Sequence, residues 1–279
     1  MKKNNLINSV FFSIITFLSF NLSINILRAQ RPLSDPLVPS YGYIKPNYLG
    51  GFIGMGNNFQ NGKYLVDCQG CEFEGGNGFN FIVGVNRDWG IERNLFFSLG
   101  LGYESIKINS TFREVEELTD TKYNRTFFAE FRHNGDISIG ALRLMPSIRY
   151  NFAKVLFTKV GLNVGYVLSN NTTHTQSPVN DIVNVPGIGD VYLDTYSNEL
   201  QNSEINNINK LQFGLNLDVG AYFLIRNKTR ISPSIQYYLP FTDMVDNGLG
   251  FNIPTLRFML AIDLKTNQTE GDSMEEYKE

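Results

Sequence analysis

Eight stretches of the chain alternate apolar residues with small or polar ones, each over about ten positions. In residues 211–226, Leu211, Phe213, Leu215, Leu217, Val219, Phe223 and Ile225 hold odd positions, and Gln212, Gly214, Asn216, Asp218, Gly220 and Arg226 hold even ones. Successive Cβ atoms of a strand point to opposite sides, so a repeat of two means a strand with two unlike faces. Residues 95–104 set Leu95, Phe97, Leu99, Leu101 and Tyr103 against Ser98, Gly100, Gly102 and Glu104. Phe79, Phe81, Val83 and Val85 likewise oppose Asn80, Gly84 and Asn86. The same pattern predicts strands over 142–152, 156–168, 231–241 and 254–264. Residues 48–59 are glycine-rich; with the glycines facing inward, Leu49, Ile53 and Met55 point out.

Alternation alone also fits a soluble sheet with one wet face, so a soluble exported β-sandwich is the structural rival. The connections separate the two readings. Residues 89–94, 151–155 and 226–229 are tight, whereas 60–76, 106–136, 170–209 and 242–252 are long and polar. Tight turns at one end and long loops at the other predict an eight-stranded antiparallel up-and-down transmembrane β-barrel, with periplasmic turns and extracellular loops. Trp89, Tyr103, Phe152, Tyr166 and Phe223 stand near strand ends, where interfacial aromatics belong. A faint repeat runs through Pro146-Ser-Ile-Arg-Tyr, Pro233-Ser-Ile-Gln-Tyr and Pro254-Thr-Leu-Arg-Phe, and common barrel composition explains it as well as duplication does. A proline inside a ladder removes a donor, so irregular pairing is expected at Pro146 and Pro233.

The ends add a compartment. Lys2 and Lys3 precede an apolar run over 10–20, and Leu27-Arg-Ala-Gln30 supplies small-residue cleavage chemistry, so 1–30 reads as a signal peptide. Asn21, Ser23 and Asn25 interrupt the run before the roughly 20 residues a spanning helix needs. The expected organisation is then a leader at 1–30, a periplasmic lead-in at 31–47, the barrel at 48–264 and an acidic periplasmic tail at 265–279. A net charge of −3 with mixed signs gives no basic face, which argues against nucleic acid as a partner. Charged residues make up only 18% of the chain, low for a soluble sandwich. The two cysteines, Cys68 and Cys71, read first as a local disulfide clipping a loop in an oxidising compartment. A free thiol pair or a metal site are the alternatives; a metal would need two further ligands and a redox pair a βαβ context, and neither is visible.

Eight strands enclose just enough room for side chains to fill. Glu104, Arg143, Arg149, Lys159, Asp218, Arg257 and Asp263 are therefore read as a polar network plugging the lumen, with both signs paired because an isolated buried charge is costly. His133 and His174, the two histidines, fall in expected outer loops and form a speculative loop site, either one a conceivable general base. No oriented triad follows from their spacing, so the chain is read as a non-enzyme without cofactor or metal. Residues 126–132 alternate well enough for an extracellular hairpin, and 182–185 with 191–195 to prolong strands beyond the membrane. Long loops on a rigid scaffold commonly carry function.

Ala29-Gln30, the glycine-rich stretch 50–56, residues 144–152 and the closing strand 254–264 resemble the porin-family, OmpA-like barrels typical of Bacteroidota, grouped as the outer membrane protein β-barrel domain. The resemblance spans nearly the whole mature chain and specifies architecture. It implies an outer-membrane site and contact with outer-membrane lipid. Some barrels of this kind are implied in type IX secretion machinery, others in adhesion or envelope integrity. The chain is read as serving a structural or surface-binding role, with an accessory part in a type IX-like secretion or envelope complex, and a lipid-modifying enzyme resting on the two histidines, as alternatives. Partners would be envelope or secretion-complex proteins or an extracellular ligand. One departure is the tail beyond 264, where such barrels end on a terminal aromatic.

Overall fold

The computed structural model describes residues 45–266 apart from 66–71, 93, 121–124, 154, 188, 194–197, 227 and 247–248. The leader, Cys68, Cys71 and the acidic tail beyond 266 lie outside the described residues, as does most of the lead-in. The barrel strands are β1 (Tyr48–Phe59), β2 (Asn77–Gly90), β3 (Leu95–Asp120), β4 (Arg125–Asn151), β5 (Leu156–Pro178), β6 (Leu211–Ala221), β7 (Thr229–Pro240) and β8 (Thr255–Lys265). Each pairs antiparallel with the next. β1 then pairs with β8 from Tyr48 opposite Lys265 to Asn58 opposite Thr255, which closes the ring. The protein is an eight-stranded antiparallel up-and-down transmembrane barrel. Closure satisfies the backbone of every strand within the sheet, the condition for crossing lipid.

Outward side chains form an apolar belt: Leu162 is 56% exposed, Val219 59% and Ile235 60%. Leu49, Ile53 and Met55 join it from β1. Large apolar groups left this open all round a barrel have lipid as their solvent. Tyr103 and Tyr166 stand at its upper edge, and Phe152 and Phe223 at the short-turn end. The sequence pattern carries β6 unbroken to residue 226. Instead the strand breaks at Tyr222, whose amide bonds the Val155 carbonyl, and resumes at Phe223–Ile225.

The long connections depart furthest from expectation. β3 and β4 run for 26 and 27 residues, so most of the loop expected over 106–136 is a rigid hairpin. β5 likewise continues to Pro178. A small hairpin follows (Ile182–Val185 with Gly189–Tyr192), and then a strand (Asn198–Ser203) that pairs back onto β5 at Thr172 to Gln176. The β1–β2 connection folds its own hairpin, Lys63–Leu65 with Glu72–Glu74.

No register shift falls at Pro146 or Pro233, but the pairing is locally irregular beside each, as expected. β4 and β5 pair at Leu144–Val164 and again at Ser147–Gly161 with nothing between, and β7 is unpaired at Ser232 and Pro233 on the side where β6 breaks. Each proline forgoes one N–H, and the pairs on either side keep the ladder aligned. The bulge lies at Gly140/Ala141, opposite Ser169 and Val167, with Leu168 as the extra residue. Gly140 has no room for a Cβ there, since one would stand 2.5 Å from the Tyr103 hydroxyl and 2.6 Å from Ser169 Oγ.

Candidate functional site: a layered lumen under an extracellular cap

The interior is built in layers. Nearest the short turns, Arg230 lies between two carboxylates. It bonds Asp263 through Nε at 2.9 Å and Nη2 at 2.7 Å, and pairs with Asp88 through Nη2. Asn86 donates to Asp263 at 2.8 Å, Ser98 donates to Asp88 at 2.5 Å, and the Arg230 guanidinium sits 4.0 Å from the Tyr48 ring. Arg149 completes this deck. It packs 3.8 Å from the Phe157 ring, donates to Asn151 at 3.1 Å and stands 3.9 Å from Asp88.

Above it Phe52, Ile82, Met145 and Met259 make an apolar layer across the lumen. Beside that layer is a cavity of about 40 Å³, lined among others by half-buried Lys159, by Asp218 and by Gln236. Its volume, and the charged and amide side chains in a wall otherwise largely apolar, suit about two or three waters. Asp218 accepts from Gln236 at 2.9 and 3.1 Å.

The upper deck centres on fully buried Glu104. This carboxylate pairs with Arg143 Nε, and accepts from Arg257 Nη1 at 2.8 Å and Asn80 Nδ2 at 2.7 Å. Of the seven lumen residues singled out in the sequence, six are thus buried and Lys159 is half-buried, but they form two decks and a side cavity instead of one network. Asp88 and Arg230 were missed. Both continue a phase already legible, since Asp88 follows Asn80 and Asn86 by twos and Arg230 precedes Ser232, Ser234 and Gln236.

Beyond the membrane the interior turns apolar. Ile106, Ile108, Ile137, Ile139 and Val167 from the strand extensions pack with Tyr64 and Phe73 of the β1–β2 hairpin. Ile205, and Met244, Val245, Phe251 and Ile253 of the β7–β8 connection, complete the plug. The top of the β3–β4 hairpin has its own cluster, Phe127, Ala129 and Phe131 against Val185 and Leu193.

His133 and His174 correct the loop expectation. They lie on β4 and β5, are 2% and 1% exposed, and meet with His133 Nδ1 2.9 Å from His174 Nε2. Phe112 stacks flat on His133 at 4.5 Å, and Phe73 meets His174 edge-on at 5.3 Å. His133 Nε2 stands 3.4 Å from a Glu116 oxygen, and the same oxygen accepts from Gln176 at 2.6 Å. Burial and the neighbouring imidazole push the His174 pKa below its ordinary value. Among the described residues no cluster of three or more His, Cys, Asp or Glu is placed to hold a metal ion.

Residues 29–246 match the family model described as the outer membrane protein beta-barrel domain. The chain belongs to that family. Membership of this outer-membrane barrel family places the belt of exposed apolar residues in the outer membrane. No curated protein sequence matches the chain. Among solved structures it is similar to Ail, the attachment invasion locus protein of Yersinia pestis, at 10% identity and a TM-score of 0.30 over 80% of this chain and 99% of that one. Neisserial surface protein A is similar at 8% identity and a TM-score of 0.33, over 78% and 96% of the two chains. Outer membrane protein AlkL gives 11% identity and a TM-score of 0.33, over 85% and 98%. At such TM-scores nothing is carried over from those proteins.

Proposed function

We propose that this outer-membrane barrel serves a structural or surface-binding role through its extracellular extension, and that its lumen is closed to through-flow. The observation that carries the reading is an exposed face built on strands. The β3–β4 hairpin exposes Val115 at 63% and Phe128 at 67%, above the lipid belt and on one face. Large apolar groups left open to water on a rigid projection are what a contact surface requires. Two ion-pair decks, an apolar layer and an apolar plug support the closed lumen. Export through a cleaved leader at 1–30 and a place among the OmpA-like barrels of Bacteroidota belong to the same reading, supported by the residues at 27–30 and 50–56.

Photocrosslinkers at Phe128 and at Ala153, in a periplasmic turn, test it in intact cells. Adducts from Phe128 with a molecule outside the cell are expected. Reproducible adducts only from Ala153, with envelope or secretion subunits, would replace this reading with that of an accessory subunit.

A further inference from the structure

The His133–His174 pair belongs neither to the lumen decks nor to the exposed face of the hairpin. A single hydrogen bond at 2.9 Å joins the rings, so one nitrogen holds the bridging proton and the other must offer a lone pair. Around them stand Phe112 and Glu116 from β3, Gln176 from β5, and Phe73 from the β1–β2 hairpin. Gln201, opposite His174 on the segment Asn198–Ser203, carries no charge. Glu116 is thus the one carboxylate recorded beside the pair among the described residues. It offers a counter-ion on the His133 side only. With both rings protonated, N–H would stand against N–H and an unbalanced cation would lie against Phe73.

Phe73 is the keystone of the β1–β2 hairpin. It is fully buried against His174, Phe112 and Gly135, where a Cβ on Gly135 would lie 2.9 Å from its ring. Gln60 bonds the Phe73 carbonyl at 2.7 Å and accepts from Ser110 of β3 at 2.5 Å, and the Tyr64 hydroxyl bonds Thr172 of β5. These side-chain contacts of the hairpin fall on β3 and β5, which with β4 carry the histidines and their stacking partner. Backbone bonds from Asn61 to Asn252 and from Lys63 to Leu249 tie its start to the β7–β8 connection.

We propose that His133 and His174 form an acid-sensitive latch on the β1–β2 cap: with at least one imidazole neutral the cap is shut over the extracellular end, and protonation of both releases Phe73 and opens it. The sign follows from proton counting. Burial lowers the His174 pKa in the closed form, so the closed form binds fewer protons than the open one. Closure is complete above the ordinary imidazole value of about 6.5, and it weakens as pH falls below that value, by up to about tenfold per pH unit for each proton taken up.

The test is hydrogen exchange of the full-length protein in phospholipid vesicles, corrected for intrinsic rates, compared at about pH 7.5 and about pH 5. Amides of 60–65 and 72–76 should lose at least about tenfold in protection on acidification, while 81–86 in β2 hold theirs. His174→Gln, uncharged at both values, should abolish the loss. Cap protection unchanged by pH in the natural protein overturns the latch, as does an undiminished loss in both His174→Gln and His133→Gln. Should the variants fail to assemble, imidazole nitrogen titration of the natural protein decides. One histidine holding neutral until the cap signals move supports the latch; two independent ordinary titrations with a static cap overturn it.

Discussion

Compare the barrel on either side of the Tyr103 level. Up to it Gly100 and Gly102, with Glu104 next to it, face in and Phe97, Leu101 and Tyr103 face out. Just above it the same strand turns Ile106 and Ile108 inward and Lys107 and Asn109 outward. β4 does the same, with Arg143 inside and Leu142 and Leu144 outside the lower part, then Ile137 and Ile139 inside and Asp136 and Ser138 outside. Geometry is continuous through the switch; only the solvent changes. In lipid, apolar surface gains nothing by turning inward, so the lumen is free to be polar provided its charges satisfy one another. In water the hydrophobic effect returns and the extension needs an apolar core. The two halves are thus stabilised by different forces, and they should fail differently.

The largest effect is expected in the lower half. Glu104→Gln leaves Arg143 and Arg257 without their shared carboxylate and should cost about 3–5 kcal/mol. Urea unfolding from vesicles, followed by the fluorescence of Trp89, the single tryptophan, measures it. Next comes Leu162→Arg, which puts a charge mid-strand on the lipid face and should cost about 2–4 kcal/mol in the same assay. A value near zero would mean that the belt does not meet lipid.

Gly135→Ala pushes on Phe73 and should cost about 1–3 kcal/mol of cap stability. It should loosen exchange at 72–76 while leaving the urea midpoint of the barrel in place; a shift of that midpoint would show that the two halves unfold as one. Phe128→Ser, on the outer face of the extension, should move stability by no more than about 0.5 kcal/mol. A larger loss would reveal packing at that face that the free chain lacks.

The same contrast explains what could be read from the residues. Strands were legible wherever outward side chains meet lipid, because Leu162, Val219 and their neighbours make the alternation stark. From Lys107 to Thr119 the outward positions meet water and the inward ones include Ser110 and Glu116, so the string looks like a polar loop although its period is intact. His133 shares odd parity with Phe131, Ile137 and Arg143, and extending that phase would have turned it inward. His174 was harder to place. It is even-numbered, whereas Lys159, Asn163 and Val167 face in at odd positions, and nothing in the residues announces where the phase slips. The contact between the two histidines, 41 positions apart, depends on that slip.

The slip has a further consequence. Leu168 acts on β5 as a reading-frame insertion acts on a message: everything downstream keeps its order and changes its side. Because of this one residue Thr172 and His174 lie beneath the cap, where Thr172 meets Tyr64 and His174 meets His133. Take it out, and Thr173 and Thr175 would occupy the interior while an imidazole faced the medium. The pairing of the cap to the barrel is therefore written as a count, and a single deletion is enough to lose it.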